Sequence, residues 1–178
     1  MRTRLLALFL PLAIASSANA QGEFMTDVHR AAGDVQTKII NLANAIPESA
    51  YGWRPTGARS VGEVLLHVAA DNYLIPIMWD KPAPAATGIS MADMKSAETY
   101  EMRKLSKAQI VAELEASFTH LHNSLGTSDA NLSENIKFFG TDMSRRRTLI
   151  GTLNHLHEHL GQLIAYARSN NVKPPWSR

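Results

Sequence analysis

The segment Asn154-His155-Leu156-His157-Glu158-His159-Leu160-Gly161-Gln162 carries the side chains best suited to chemistry. His155 and His159 are four residues apart. On a helix that spacing places both rings on one face, one turn apart. Two neutral imidazoles there offer nitrogen lone pairs to a single divalent metal. His157 lies about 200° round the helix from His155 and is expected to face solvent. A complete site needs a third ligand from another element. His67 is the first candidate, because it adjoins the apolar stripe of Val64, Leu65 and Val68 and so faces the interior. His29 ranks next, followed by His120 or His122. A hydrogen-bonded histidine cluster at the core edge satisfies the same spacing without a metal, since a buried imidazole needs only a polar partner.

Other polar groups lie within reach. Asp71, four residues after His67, is placed either to orient that ring or to act as a surface carboxylate. Gln162 and Tyr166 follow His159 at helical steps and can reach the same cavity. Glu158 should project away, so it is not assigned as a general base. Arg145-Arg146-Arg147 opens the same helix, where positive charge opposes the dipole; a solvated basic loop is favoured over an anion site. Trp53, Trp79 and Trp176 suit packing or rim positions. Glycine-rich phosphate loops, His-Glu-x-x-His and Gly-x-Ser-x-Gly are absent from the sequence.

The elements that must hold these residues are helical. Val28, Ala32, Val35, Ile39, Leu42 and Ile46 recur at three- and four-residue steps and predict a first helix over 25–45. A second opens at Ser60, which has capping-box spacing to Glu63, and Pro76 is expected to interrupt its end. Ser106 and Gln109 repeat the capping pattern at the start of a third helix, whose stripe is Ile110, Leu114, Phe118, Leu121 and Leu125, with Gly126 as its cap. The fourth runs over 145–169. Residues 80–105 are expected to form a long connection with a short helical turn at 90–95. Residues 127–144 form another, with Phe138 and Phe139 tucked against the bundle and a short strand pair as an alternative. Long middle connections imply at least one crossover rather than a simple up-down order.

The chain has 178 residues, no Cys, and 18 Lys and Arg against 16 Asp and Glu. With 45% hydrophobic and 19% charged residues it has globular composition, which excludes disordered and collagen-like classes. Its length predicts one domain. Without Cys there is no disulfide, thiolate metal site or cysteine nucleophile. Arg2 and Arg4 precede the apolar stretch Leu5 to Ala15, and Ala18-Asn19-Ala20 ends it in an A-x-A pattern. This predicts a signal peptide over 1–20, cut after Ala20. The apolar stretch is well short of the ~20 residues of a membrane span, so no span is expected after cleavage. The mature domain, 21–178, then carries equal numbers of basic and acidic side chains. It has no global electrostatic attraction to nucleic acid.

Val64-Leu65-Leu66-His67-Val68-Ala69, combined with His155-x-x-x-His159-x-Gly161-Gln162-Leu163, resembles the DinB-like (damage-inducible protein B-like) metal-binding bundle superfamily. Trp53-Arg54-Pro55 ahead of Ser60-Val61-Gly62-Glu63 is similar to it too, as is Tyr166-Ala167-Arg168 ahead of Pro174-Pro175. The likeness runs over nearly all of 25–177. It implies an all-α four-helix bundle with a long crossover, often dimeric. By the same resemblance the metal ligands are His67, His155 and His159, and the ion is typically zinc or nickel. Leu160 departs from the pattern, because the family often has a basic residue there. The signal peptide departs as well, since a cytoplasmic start is commoner.

Three His ligands leave a coordination position for water or substrate. A divalent ion there polarises water and stabilises developing oxyanion charge. The expectation is therefore an exported divalent-metal-binding protein, periplasmic or secreted, acting as a metal-dependent hydrolase on a small molecule. Exposed helix faces permit a homodimer. Two alternatives stand beside it. One is a noncatalytic metal-binding or interaction module, because no general base is assured. The other is a thiol-dependent transferase, as among some relatives, which export disfavours because thiol cofactors are cytosolic.

Overall fold

A computed structural model describes residues 17–126 and 128–177, with side chains from residue 22 onward. The expected signal peptide lies mostly outside the described residues, and residues 17–20 continue the first helix. Among the described residues the elements are α1 (Ser17–Ala45), α2 (Val61–Ile77), α3 (Lys95–Glu101), α4 (Lys107–Leu125), strands β1 (Asn135–Phe138) and β2 (Thr141–Ser144), and α5 (Arg145–Ser169). Short 3-10 turns occupy Glu48–Ala50 and Ala85–Thr87. The chain is mostly helical, with one two-stranded hairpin.

The four long helices bury the stripes that their periodicity marks. On α1 these are Val28, Ala32, Val35, Ile39 and Leu42; on α4, Ile110, Leu114, Phe118, Leu121 and Leu125. Helix α2 is apolar nearly all round and is buried along most of its length. It begins with the full capping box: the Ser60 hydroxyl accepts from the Glu63 amide, and the Glu63 carboxylate accepts from the Ser60 amide at 2.9 Å. Pro76 sits inside its last turn, and the helix closes one residue later. Proline removes the amide that would bond back to Asn72, and the chain closes just beyond in bonds from Met78 and Trp79 to the Ile75 and Pro76 carbonyls.

Helix α2 packs against α4, α3 and α5, whereas α1 packs against α4 and α5. The helices α1 and α2, consecutive in sequence, therefore occupy opposite corners of the bundle. The short chain between them crosses one end; α4 and α5 also pack little against each other, so the expected crossover falls in the second long connection. Two buried polar contacts tie α2 and the residues just after it to its neighbours α5 and α4. Trp79 Nε1 donates to Thr148 Oγ1 at 3.0 Å, and Asn72 Nδ2 donates to Ser117 Oγ at 3.1 Å. Both leave a buried polar group satisfied, as a close-packed interior demands.

The two connections differ from expectation. The first turns over residues 91–94, near the expected place, but adds the helix α3, which lies on α2 through Ala97 and Tyr100. Two buried positions in seven residues are too few to establish a period. In the second, the strand-pair alternative is the one realised, with Asn135 opposite Ser144 and Phe138 opposite Thr141. The two-residue turn is Phe139-Gly140, with φ of 47° and 82°. Phe138 packs against the core, but Phe139 is 49% exposed rather than tucked in. No helix among the described residues is long and apolar enough to cross a membrane.

Candidate metal centre

Helices α2 and α5 lie side by side so that His67 meets His159 and Asp71 meets His155. Rising positions on α2 face falling positions on α5, so the two run antiparallel, and each step is one helical turn. The ring centroids are 4.6 Å apart for His67 and His159, 4.4 Å for His155 and His159, and 5.6 Å for His67 and His155. One ligand atom from each of His67, Asp71, His155 and His159 lies within 4.8 Å of all the others. The structure thus gathers the three expected histidines at one point and adds a carboxylate.

Asp71 is not a surface group. Its side chain is 14% exposed, and its Oδ2 accepts from His155 Nε2 at 2.6 Å while lying 3.2 Å from His67 Nε2. It bridges two rings, where sequence spacing suggested a partner for His67 alone. The other histidines stay outside. His29 Nε2 donates to the Gly126 carbonyl at 2.7 Å, and its ring stacks 6.0 Å from His122, which bonds Gln36. His120 lies against Tyr73. His157 faces solvent and bonds the Leu153 carbonyl of its own helix. Glu158 is exposed and 3.9 Å from His155 Nδ1, beyond hydrogen-bond reach.

A second layer of groups fixes the rings. His67 Nδ1 donates to Glu101 Oε1 at 2.6 Å, and Arg59 Nε holds the other oxygen of that carboxylate at 3.0 Å. His159 Nδ1 donates to Gln162 Oε1 at 3.0 Å, and Gln162 Nε2 donates to the Tyr166 hydroxyl at 2.8 Å. An acceptor at each Nδ1 puts the proton there and turns the Nε2 lone pair inward. Gln162 thus touches His159, and Tyr166 touches Gln162, so both stand behind the ring and not in the adjoining pocket. Leu160 is buried in the core and supplies no polar group. Arg146 packs its guanidinium over the Phe24 ring at 4.6 Å. Trp79 is buried, whereas Trp176 is exposed.

The electrostatics of the pair on α5 are split. The hydrogen bond to Asp71 holds the His155 imidazole above its ordinary pKa, outweighing the opposing effect of burial. Burial pushes His159 below its ordinary value and keeps it neutral. Its Nε2 is buried with no hydrogen-bond partner. A buried basic nitrogen without a donor is costly. A cation at the centre of the cluster removes that cost, so the donor set fits a divalent metal. Glu101 and Arg59 had no signal in the sequence: Glu101 lies on α3, 34 residues from His67 and outside any motif.

The cluster can accordingly hold a cation through imidazole nitrogens and a carboxylate oxygen, all carried on rigid helices. No curated protein is similar enough to match the chain. Among solved structures, a DinB-like protein from Bacillus cereus ATCC 10987 superposes with a TM-score of 0.62 at 18% sequence identity, over 87% of this chain and 95% of that one. At that identity the likeness is one of fold. The sequence profile described as the DinB superfamily matches residues 33–163, a span that takes in all four cluster residues. The chain therefore belongs to the DinB superfamily.

Proposed function

We propose that the protein binds one divalent ion, zinc or nickel, through His67, His155 and His159, and hydrolyses a small-molecule substrate there. The observation that carries this reading is the buried, unpartnered Nε2 of His159. Its Nδ1 is already committed to Gln162, and unlike His120 it stands within one cluster with His67, Asp71 and His155. When bound, the ion supplies Lewis acidity that activates water and steadies oxyanion charge. The protein's own part is positional. Glu101 and Gln162 aim the rings, and the Asp71 carboxylate stands beside them as the proton acceptor that the sequence did not identify. A pocket bordered by Asp71 and His155 gives a substrate access to the same point.

One observation favours a second reading. Asp71 Oδ2 lies among the imidazole nitrogens, so it can complete a closed four-donor set, which is typical of structural metal sites. Asp71→Asn separates the two. The hydrolytic reading expects zinc-dependent turnover of p-nitrophenyl acetate by the native chain and its loss in Asp71→Asn with zinc retained. Absence of zinc-dependent turnover in the native chain, together with zinc loss in the variant, supports the noncatalytic site instead. We also propose export, on the strength of the N-terminal charge and the A-x-A pattern. Mass spectrometry of the protein recovered from a cell envelope fraction should find a mature chain beginning at Gln21; an intact Met1 start contradicts export by cleavage.

A further inference from the structure

The antiparallel facing of α2 and α5 continues one turn beyond the metal cluster. Ile75 follows Asp71 on α2, and Gly151 precedes His155 on α5. Here the polar sequence stops and a pocket of about 240 Å³ opens, lined by Asp71, His155, Ile75, Gly151, Thr152 and the hairpin residues Phe138 and Phe139. Its wall is apolar apart from the two cluster residues. The Thr152 hydroxyl is already donated to the Thr148 carbonyl at 2.9 Å. Neither Lys nor Arg borders the pocket.

Two features show that the pocket's shape does not follow from folding requirements alone. A two-residue hairpin turn with positive φ at both positions favours Asn-Gly, because a bulky side chain is disfavoured in the left-handed region. The chain instead places Phe at the first position, with φ of 47°, and anchors it through its amide to Met78 Sδ at 3.3 Å. An outlier of this kind points to function more than to turn stability. Gly151 stands in the interior of α5, where glycine is a poor helix former. Nothing lies within 4 Å of where its Cβ would be, so no close packing demands glycine. Its small size leaves the pocket open.

We propose that this pocket is the subsite of the metal centre that receives the apolar part of the substrate, which is a small uncharged carbonyl compound bearing one ring-sized apolar group. The proposal rests on the metal reading given above. An apolar cavity of about 150 Å³ accommodates benzene, so this pocket takes a single ring or a branched chain of similar bulk. An anionic tail finds no counter-charge in it. With the apolar group between Ile75 and Phe139, the carbonyl end reaches Asp71 and His155.

Hydroxamates test this, since they chelate zinc and differ only in their tails. The full-length chain, loaded with zinc, should bind benzohydroxamate about tenfold or more tighter than acetohydroxamate in calorimetry, as expected for burial of a ring. Gly151→Leu fills the pocket with a better helix former. Phe139→Asn removes the aromatic wall with a residue that suits the turn. Both should keep zinc and lose most of the preference. Equal binding by the native chain, or an undiminished preference in both variants, overturns the proposal. A separate arm uses chelator-treated protein and benzyl alcohol, reading the NMR shift of the Ile75 δ1 methyl. A saturable shift that Gly151→Leu abolishes supports the pocket, and no shift overturns it. Failure to bind zinc would overturn the metal reading, and the benzyl alcohol arm would still decide the pocket.

Discussion

Glu101 and Gln162 act on imidazoles. Each accepts a hydrogen bond from the Nδ1 of one ring and so fixes which nitrogen faces the cluster. Loss of such a partner typically costs 10–100-fold in metal affinity. Glu101→Ala should therefore weaken zinc binding by about that factor in a competition titration, with helix content unchanged by circular dichroism. Unaltered affinity would mean that the carboxylate serves Arg59 alone. Zinc affinity should also fall as pH is lowered, because the ion needs neutral rings. The Asp71 contact raises His155, so the proton competes from above the ordinary imidazole value of about 6.5. His159, pushed down by burial, has already lost its proton there. Asp71→Asn should move the onset of weakening to lower pH. A titration that is flat between about pH 8 and 6 would contradict this assignment. At this scale the sequence revealed the histidines, since spacing of four on one helix is a local property. It left Asp71 ambiguous and Glu101 invisible, because the contacts of both depend on which helices become neighbours.

The helix α2 carries both His67 and Asp71, so its first turn bears on the site as well as on the fold. The Ser60–Glu63 capping box satisfies amides that the helix itself cannot. Ser60→Ala should cost about 1 kcal/mol in urea unfolding. A change near zero would show that tertiary packing holds the helix start without the cap. Glu63 is held below its ordinary pKa, chiefly by the Ser60 backbone amide. Its contribution is therefore present above the ordinary carboxylate range and fades as pH falls through the lowered value. The long helices could be read from residues because each buries a stripe repeating over three or more turns. The helix α3 could not, since seven residues with two buried positions show no period. The hairpin remained an alternative, because its turn lacks the Asn-Gly signal and its strands are four residues each.

Across the whole molecule, four amphipathic helices and two long connections implied a bundle with a crossover, and the diagonal placement of α4 and α5, joined by the second long connection, bears this out. Which diagonal forms is a matter of global packing that no single stripe encodes. That choice assembles the cluster, because it brings α2 against α5 and His67 against His159. A bound ion would couple these two helices, so zinc should raise the unfolding midpoint of the chain, by an amount that grows with the logarithm of its free concentration over Kd. His155→Ala should show no such rise; an equal rise in the variant would place the ion elsewhere. The most direct measurement is the zinc content of the purified full-length chain beside His67→Ala, His155→Ala and His159→Ala. Convergence of three imidazoles on one ion predicts one zinc per native chain and loss of most of it in every variant. Native protein without zinc, or folded variants that keep a full equivalent, would contradict it.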